Sequence, residues 1–173
     1  MCDFGKKLKQ KRETRPVLKE IRGVPGEKVV AELKELGLEL MLKAKFQQDR
    51  YIYHVGLAGW EKLVPYLVIS GKSYLFPPES PIQRILTPEA PDCDDYSKRA
   101  SATAAFEFGV SCLGCQGATP YKSEKNPTGR HAFNLVRVGD GDYRIFEPNA
   151  AFEEAGELFR FGEHGYIPDA WRL

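Results

Sequence analysis

Apolar and polar positions in the first half of the chain predict short helices and strands. Residues 27–36 place their apolar side chains on one helical face, and Gly37 follows as a stop signal. Residues 38–46 alternate apolar and polar side chains, which is the spacing of a strand. The run "RYIYHV" is aromatic and β-branched and favours a second strand, and residues 59–67 favour a second short helix.

The second half of the chain contains a helix with strong end signals. "PPESP" at residues 77–81 begins a connector of about a dozen residues, a length that is often functional. Asp92 is a good N-cap residue, and Asp95, three positions later, completes a short form of a capping box. Cys93 is then the first helical residue, and Gly109 can end the helix. Residues at helical spacing predict the buried face: Tyr96, Ala100, Ala104 and Phe108.

The segment "HAFNLVRVGDGDYRIFEPN", which begins at His131, predicts a β-hairpin. A loop of three residues, 139–141, would pair Phe133 with Glu147 and place His131 and Glu147 diagonally on one face of the sheet. A loop with an even number of residues would put them on opposite faces. Gly141 supplies the left-handed residue that three-residue loops need. Mixed elements before the connector and one helix plus strands after it predict the α+β class.

Composition excludes several classes of protein. The 173 residues are 42% hydrophobic with a formal net charge of +1, which is typical of a globular domain without a global field towards nucleic acid or membrane. No run is long and apolar enough for a membrane span, and no export signal precedes the first elements. We therefore expect a cytoplasmic protein whose four cysteines are reduced thiols. The basic residues 1–15 predict a flexible tail, with nucleic-acid binding by this arm as the alternative.

The position of Cys93 has two possible interpretations, a reactive thiol and a structural one. The N-terminus of a helix offers partial positive charge and free N–H groups, which favour the thiolate and could bind an oxyanion. Asp94 and Asp95 oppose a second negative charge, so a thiolate here needs a cationic partner, most simply a protonated histidine. The alternative is a small cysteine packed at a helix end.

Three short motifs in order resemble the core of transglutaminase-like cysteine enzymes, within the papain-like thiol fold. They are "DCDDY", "HAFN" and "FEPN", and the chain is similar in this respect to transglutaminase-like proteins of bacteria and phages. The resemblance implies that Cys93 is the nucleophile and His131 its general base. It implies that Glu147 orients the imidazole, where the family usually has an aspartate. Side chains upstream of the nucleophile are its candidate oxyanion donors: Gln83, Trp60 and Tyr74. The backbone N–H of Cys93 is the other candidate.

The length of the chain predicts one domain over residues 1–173. The resemblance covers residues 85–150 and implies that they are a transglutaminase-like core, with the cysteine-bearing helix packed on an antiparallel sheet. Residues 16–84, outside the resemblance, are expected to be an N-terminal α/β portion, and the aromatic residues of 151–173 predict that this segment packs on the core. The implied substrate is a peptide, a protein or a small amide or acyl compound, and no cofactor is implied.

Three functions remain open from the sequence. The first is a thiol enzyme, either a peptidase or amidase or an acyl transferase. The second is a binding or structural protein that keeps the fold without turnover. The third is a zinc-binding protein that uses "CLGC", Cys112 and Cys115, and draws in Cys93 and His131; a redox role for the same pair is a variant of it. The sequence does not indicate an oligomeric state.

Overall fold

The computed structural model describes residues 15–41, 50–69, 92–122, 124 and 126–172. In this part of the chain there are three α-helices: α1 (Gly26–Glu35), α2 (Leu57–Leu67) and α3 (Cys93–Phe108). The strands are β1 (Arg22–Pro25), β2 (Glu39–Leu40), β3 (Tyr51–His54), β4 (Leu113–Ala118), β5 (Arg130–Gly139), β6 (Asp142–Phe146) and β7 (Ile167–Arg172). A short 3-10 helix covers Glu163–Gly165. The protein is of the α+β class, as expected.

A mixed five-stranded sheet organises the fold. Its strand order is β2-β7-β4-β5-β6, and all neighbours are antiparallel except β2 and β7, which are parallel. Strands β1 and β3 form a separate antiparallel pair. No helix among the described residues is long and apolar enough to cross a membrane.

Most elements predicted from periodicity are present within a few residues of the expected bounds. Helix α1 covers the predicted helix, and Gly37 follows it with the positive φ of 79° that favours glycine. Helix α2 begins two residues earlier than expected, and "RYIYHV" contains β3. Of the strand predicted over residues 38–46, the structure shows β2, and residues 42–46 lie outside the described part. The connector that begins at residue 77 and the basic tail, apart from Arg15, also lie outside it.

Both faces of the sheet are buried, because β5 contributes apolar side chains to each in turn. Phe133 and Leu135 belong to one core cluster, which α1 closes with Leu33. Val136 and Val138 belong to the other, which α2 and α3 close. A strand covered on both sides reads as a nearly continuous apolar run, and all of β5 between its end residues is buried.

Helix α3 packs closely against β5 because its buried face includes small side chains, one of which, Ser97, hydrogen-bonds to β5. Its buried residues are Tyr96, Ser97, Ala100, Ala104 and Phe108. Ser97 Oγ donates to the Phe133 carbonyl at 3.0 Å. Asn134 Nδ2 in turn donates to the Ser97 carbonyl at 3.1 Å, to Ser101 Oγ at 3.0 Å and to the Leu113 carbonyl at 3.3 Å. Asn134 thus links the first half of α3 to β4 and β5, which fixes the level of Cys93 near the start of β5.

The β5–β6 hairpin has one of the two registers that the sequence allows. Asn134 pairs with Phe146 and Arg137 with Tyr143, so the ladder projects Phe133 opposite Glu147, the register expected for a three-residue loop. The turn itself differs from the prediction. A shift in register after Arg137 pairs Gly139 with Asp142, so the loop is two residues long and the extra residue is a bulge at Val138. The two solutions give the same register because a bulge and a longer loop each add one residue.

Candidate active site

Cys93 is the first residue of α3 and is partly buried. Asp92 caps the helix in an extended conformation, and its side chain accepts the Asp94 N–H at 3.1 Å. The Asp95 carboxylate in turn accepts the Asp92 N–H at 3.3 Å, which completes the predicted capping box. The cap holds the first turn rigidly and places the Cys93 sulfur at the positive end of the helix dipole.

His131 stands near the start of β5, with 9% of its surface exposed, and binds a fully buried acid. Its Nε2 lies 2.7 Å from Oε2 of Glu147, the residue that follows β6. Glu147 Oε1 accepts the Asn149 N–H at 2.9 Å, and Oε2 also accepts the Tyr166 hydroxyl at 3.1 Å. Donors therefore occupy both carboxylate oxygens, and the carboxylate fixes the orientation of the imidazole.

The structure also brings Cys93 to His131. The thiol and the Glu147 carboxylate both raise the pKa of the imidazole, so Cys93 belongs to the immediate surroundings of the His131 ring, whose Nε2 binds Glu147. Burial lowers the pKa of His131, but Cys93 and Glu147 more than offset it and raise the pKa to about 9. His131 is thus a cation at neutral pH, the partner that the acidic flanks of Cys93 demand.

The flanking aspartates have cationic partners of their own. Lys98, one turn along α3, forms an ion pair with Asp94, and Arg172 Nη2 lies 3.7 Å from the same carboxylate. Asp92 and Lys98 lower the pKa of Asp94, with Arg172 contributing. The negative charge beside the thiol is therefore partly balanced, which reduces the repulsion expected from the sequence.

Aromatic rings surround the imidazole. The ring of Phe152 lies 4.8 Å from that of His131 between centroids, and those of Tyr166 and Phe133 lie at 6.3 and 6.4 Å. These contacts limit rotation of the imidazole and shield its bond to Glu147 from water.

Two of the three side chains predicted as oxyanion donors, Gln83 and Tyr74, lie outside the described residues. The prediction that the third, Trp60, is an oxyanion donor is wrong. Its indole is fully buried in α2 and donates to the Arg137 carbonyl at 2.9 Å. Arg137 is six residues from His131 along β5, which is about 20 Å in a strand. The Trp60 N–H therefore serves the core and not the site.

The predicted metal site at "CLGC" is also wrong in its geometry. Cys112 packs in the cluster beneath α2 and α3, whereas Cys115 packs in the cluster on the other face of the sheet. The Cys115 thiol donates to the Ala170 carbonyl at 3.1 Å, and burial raises the pKa of Cys112 to about 12. Two buried thiols on opposite faces cannot bind one ion or form a disulfide with each other.

Several residues near the site were not identified from the sequence. Tyr166 and Asn149 donate to Glu147. Tyr121 donates to Glu154, a second acid that is buried with 4% of its surface exposed. The sequence signal for Tyr166 is the aromatic character of the C-terminal segment, and Asn149 is the last residue of the "FEPN" motif.

No family model, curated protein or solved structure matches this chain. The resemblance to transglutaminase-like enzymes therefore depends on the motifs and on the geometry around Cys93.

Proposed function

We propose that this protein is a transglutaminase-like thiol enzyme that acts on an amide or acyl carbonyl through Cys93, His131 and Glu147. One observation carries the proposal: a buried imidazole binds a buried carboxylate at 2.7 Å and has, in its immediate surroundings, the thiol of the first residue of α3. Nucleophile, base and orienting acid are thus neighbours, and the acid binds the base directly.

The first half of the reaction forms a thioester. A protonated His131 stabilises the Cys93 thiolate by Coulomb attraction, and the sulfur adds to the substrate carbonyl carbon. The tetrahedral intermediate collapses with loss of the amine, which takes the proton from His131 Nδ1. The imidazole is then neutral, and its Nε2–H remains bound to Glu147, which keeps the ring in place.

The second half transfers the acyl group to an acceptor. His131 Nδ1 removes a proton from water or from a primary amine as the acceptor attacks the thioester. Collapse of the second intermediate expels the Cys93 thiolate and restores the ion pair. Water yields an acid and an amine yields a new amide, so hydrolysis and acyl transfer differ only in the acceptor.

The first turn of α3 supplies an oxyanion donor. The Asp92 side chain accepts the N–H groups of Asp94 and Asp95, so among the described residues of this turn the Cys93 N–H is the group left for the substrate. A backbone N–H at a helix start is preorganised and is aligned with the helix dipole, as an oxyanion requires.

The surrounding fold supports the same assignment. The cysteine heads a helix that packs on an antiparallel run of strands, β7-β4-β5-β6, as in a papain-like core. The cysteines of the described residues, Cys93, Cys112 and Cys115, are free thiols, and a cytoplasmic location is part of the proposal. Peptides, proteins and small amides are the proposed substrates.

Selective alkylation tests this function. In a Cys2→Ser background, we expect iodoacetamide near pH 7 to label Cys93 at least tenfold faster than Cys112, whose buried thiol is almost fully protonated. Mass spectrometry of tryptic peptides assigns each rate. His131→Ala should slow labelling of Cys93 to the rate of an ordinary thiol, and His164→Ala, which removes an exposed histidine, should leave it unchanged.

The alternatives predict different results. Equally slow labelling of Cys93 in the parent chain and in His131→Ala would refute the thiol enzyme. Selective labelling without turnover of any peptide or amide in a library would favour a binding protein that retains the fold. A thioester trapped by hydroxylamine from an active substrate would establish the acyl-enzyme.

A further inference from the structure

We propose that Tyr166 is a positioning residue that holds the Glu147 carboxylate against His131, and that Tyr121, through Glu154, keeps the Tyr166 hydroxyl directed at Glu147. This inference rests on the proposed function and identifies the groups that position its acid.

Glu147 requires more support than an aspartate in its place would. A glutamate has one more rotatable bond, so its carboxylate can move away from the imidazole more easily. Tyr166 donates at 3.1 Å to Oε2, the same oxygen that His131 Nε2 meets at 2.7 Å. Together with the Asn149 N–H on Oε1, this bond leaves the carboxylate one orientation.

Tyr166 is itself held firmly. Its side chain has 0% exposure and lies between Phe133 and Phe159, each with its ring centroid 5.1 Å away. Its carbonyl accepts the Gly162 N–H at 2.8 Å, which closes the turn before β7. The hydroxyl therefore has a fixed position from which to donate.

Glu154 competes for the same hydroxyl. The ring of Tyr121, which binds Glu154, lies 6.2 Å from that of Tyr166 between centroids, and Glu154 helps to raise the pKa of Tyr166, so this carboxylate is a second acceptor close to a phenol that has one proton. Tyr121 weakens the competition, because its hydroxyl, 2.6 and 2.7 Å from the two Glu154 oxygens, already donates to this carboxylate and makes it a poorer acceptor for Tyr166. With Glu154 supplied by Tyr121, the Tyr166 proton is available to Glu147.

Both tyrosines remain donors across the working pH range. Burial raises the pKa of Tyr121 and of Tyr166, and the neighbouring glutamates raise it further, so neither phenol ionises near neutrality. The charged groups that face the Tyr166 hydroxyl are thus Glu147 and Glu154, with His131 beyond Glu147.

A double-mutant cycle tests the inference. We expect Tyr166→Phe, which removes only the hydroxyl, to slow alkylation of Cys93 at pH 7 by about three- to tenfold, the range for the net loss of one ordinary hydrogen bond. In a Glu147→Gln background the same substitution should have no further effect. We also expect NMR titration to show a lower pKa of His131 in Tyr166→Phe, because the carboxylate is no longer held against the ring.

Tyr143→Phe is the matched control. It removes a buried hydroxyl that donates at 2.7 Å to another glutamate, Glu32, on a network without contact to Glu147. It should reduce stability and leave alkylation and the pKa of His131 unchanged. If Tyr166→Phe does not fold, Tyr121→Phe tests the same series of hydrogen bonds. Tyr121 is 40% exposed, so this substitution should be better tolerated, and it should change the alkylation rate and the pKa of His131 in the same direction as Tyr166→Phe.

Three results would overturn the positioning role: an unchanged pKa of His131 in Tyr166→Phe, a raised pKa, or an equal loss of alkylation rate in both backgrounds. A raised pKa would mean that the hydroxyl only draws charge from the carboxylate. The NMR measurement does not depend on Cys93 chemistry, so it still tests the positioning role if alkylation shows that the proposed function is wrong.

Discussion

Replacement of Glu147 by glutamine tests the electrostatic basis of the site. The substitution keeps the size of the side chain and an oxygen that can accept from His131, but removes the negative charge. His131 has a pKa of about 9, against an ordinary value of 6.5, and this difference corresponds to about 3 kcal/mol in favour of the imidazolium. Burial acts in the opposite direction, and Cys93 and Glu147 together overcome it.

We expect the pKa of His131 in Glu147→Gln to fall to about 7 or below, because burial persists while one of its two anionic partners is lost. In the parent chain, a folded-state pKa above the unfolded value means that the stability from His131 is complete below about pH 6.5. It is lost as the pH rises through about 9. In the parent chain, the free energy of unfolding should fall by up to roughly 3 kcal/mol as the pH rises through this range, and in the variant it should fall much less.

Two assays measure the effect: NMR titration of the His131 ring protons, and urea unfolding at pH 6 and pH 9.5. Glu153→Gln is the control, because it removes the charge of an exposed acid in the loop after β6. A His131 pKa that stays near 9 in Glu147→Gln would refute the reasoning. An ordinary pKa of 6.5 in the parent chain would refute it as well.

Three further substitutions test other parts of the structure. Asp92→Ala should reduce the free energy of unfolding by about 1 kcal/mol through loss of the helix cap, and Asp92→Ser should restore most of it in urea titrations. Trp60→Phe should cost about 1–3 kcal/mol by leaving the Arg137 carbonyl unpaired, with alkylation of Cys93 unchanged; slower alkylation would return Trp60 to the site. Burial and Arg137 lower the pKa of His54, so its stabilising contribution is complete above about pH 6.5 and is lost as the pH falls. The melting temperature should therefore depend less on pH between 6.5 and 4.5 in His54→Gln than in the parent chain.

Local signals explain which parts of the fold could be predicted from the sequence. Helix α3 was predicted at both ends because its capping box and its C-cap glycine, with φ of 67°, lie within a few residues of the chain. The register of β5 and β6 was only narrowed to two possibilities, and a bulge after Arg137, which the sequence did not predict, produces the observed one. These two elements supply all three residues of the proposed chemistry.

Long-range contacts explain what could not be predicted. Strand β7 lies between β2 and β4, far from both in sequence, and a register shift at Gly117 interrupts its pairing. The sequence of β7, "IPDAWR", lacks the regular alternation of apolar and polar residues that predicts a strand, so neither β7 nor the neighbouring Tyr166 was identified. The reading of "CLGC" failed differently: once β4 is known to be extended, three-residue spacing places Cys112 and Cys115 on opposite faces.

The two buried histidines show that the hydrogen-bond partner of a histidine, and not its degree of burial, identifies the candidate base. His54 is 5% exposed and His131 is 9% exposed, and both lie in strands rich in aromatic residues. Arg137 Nη1 lies 2.9 Å from His54 Nε2, so that ring must be neutral to accept the bond, and its pKa is lowered. His131 faces a carboxylate and a thiol, and its pKa is raised. Two histidines of similar burial therefore differ in charge: His54 is neutral and His131 is a cation. Of these two states, the cation is the one that can form an ion pair with a thiolate at Cys93.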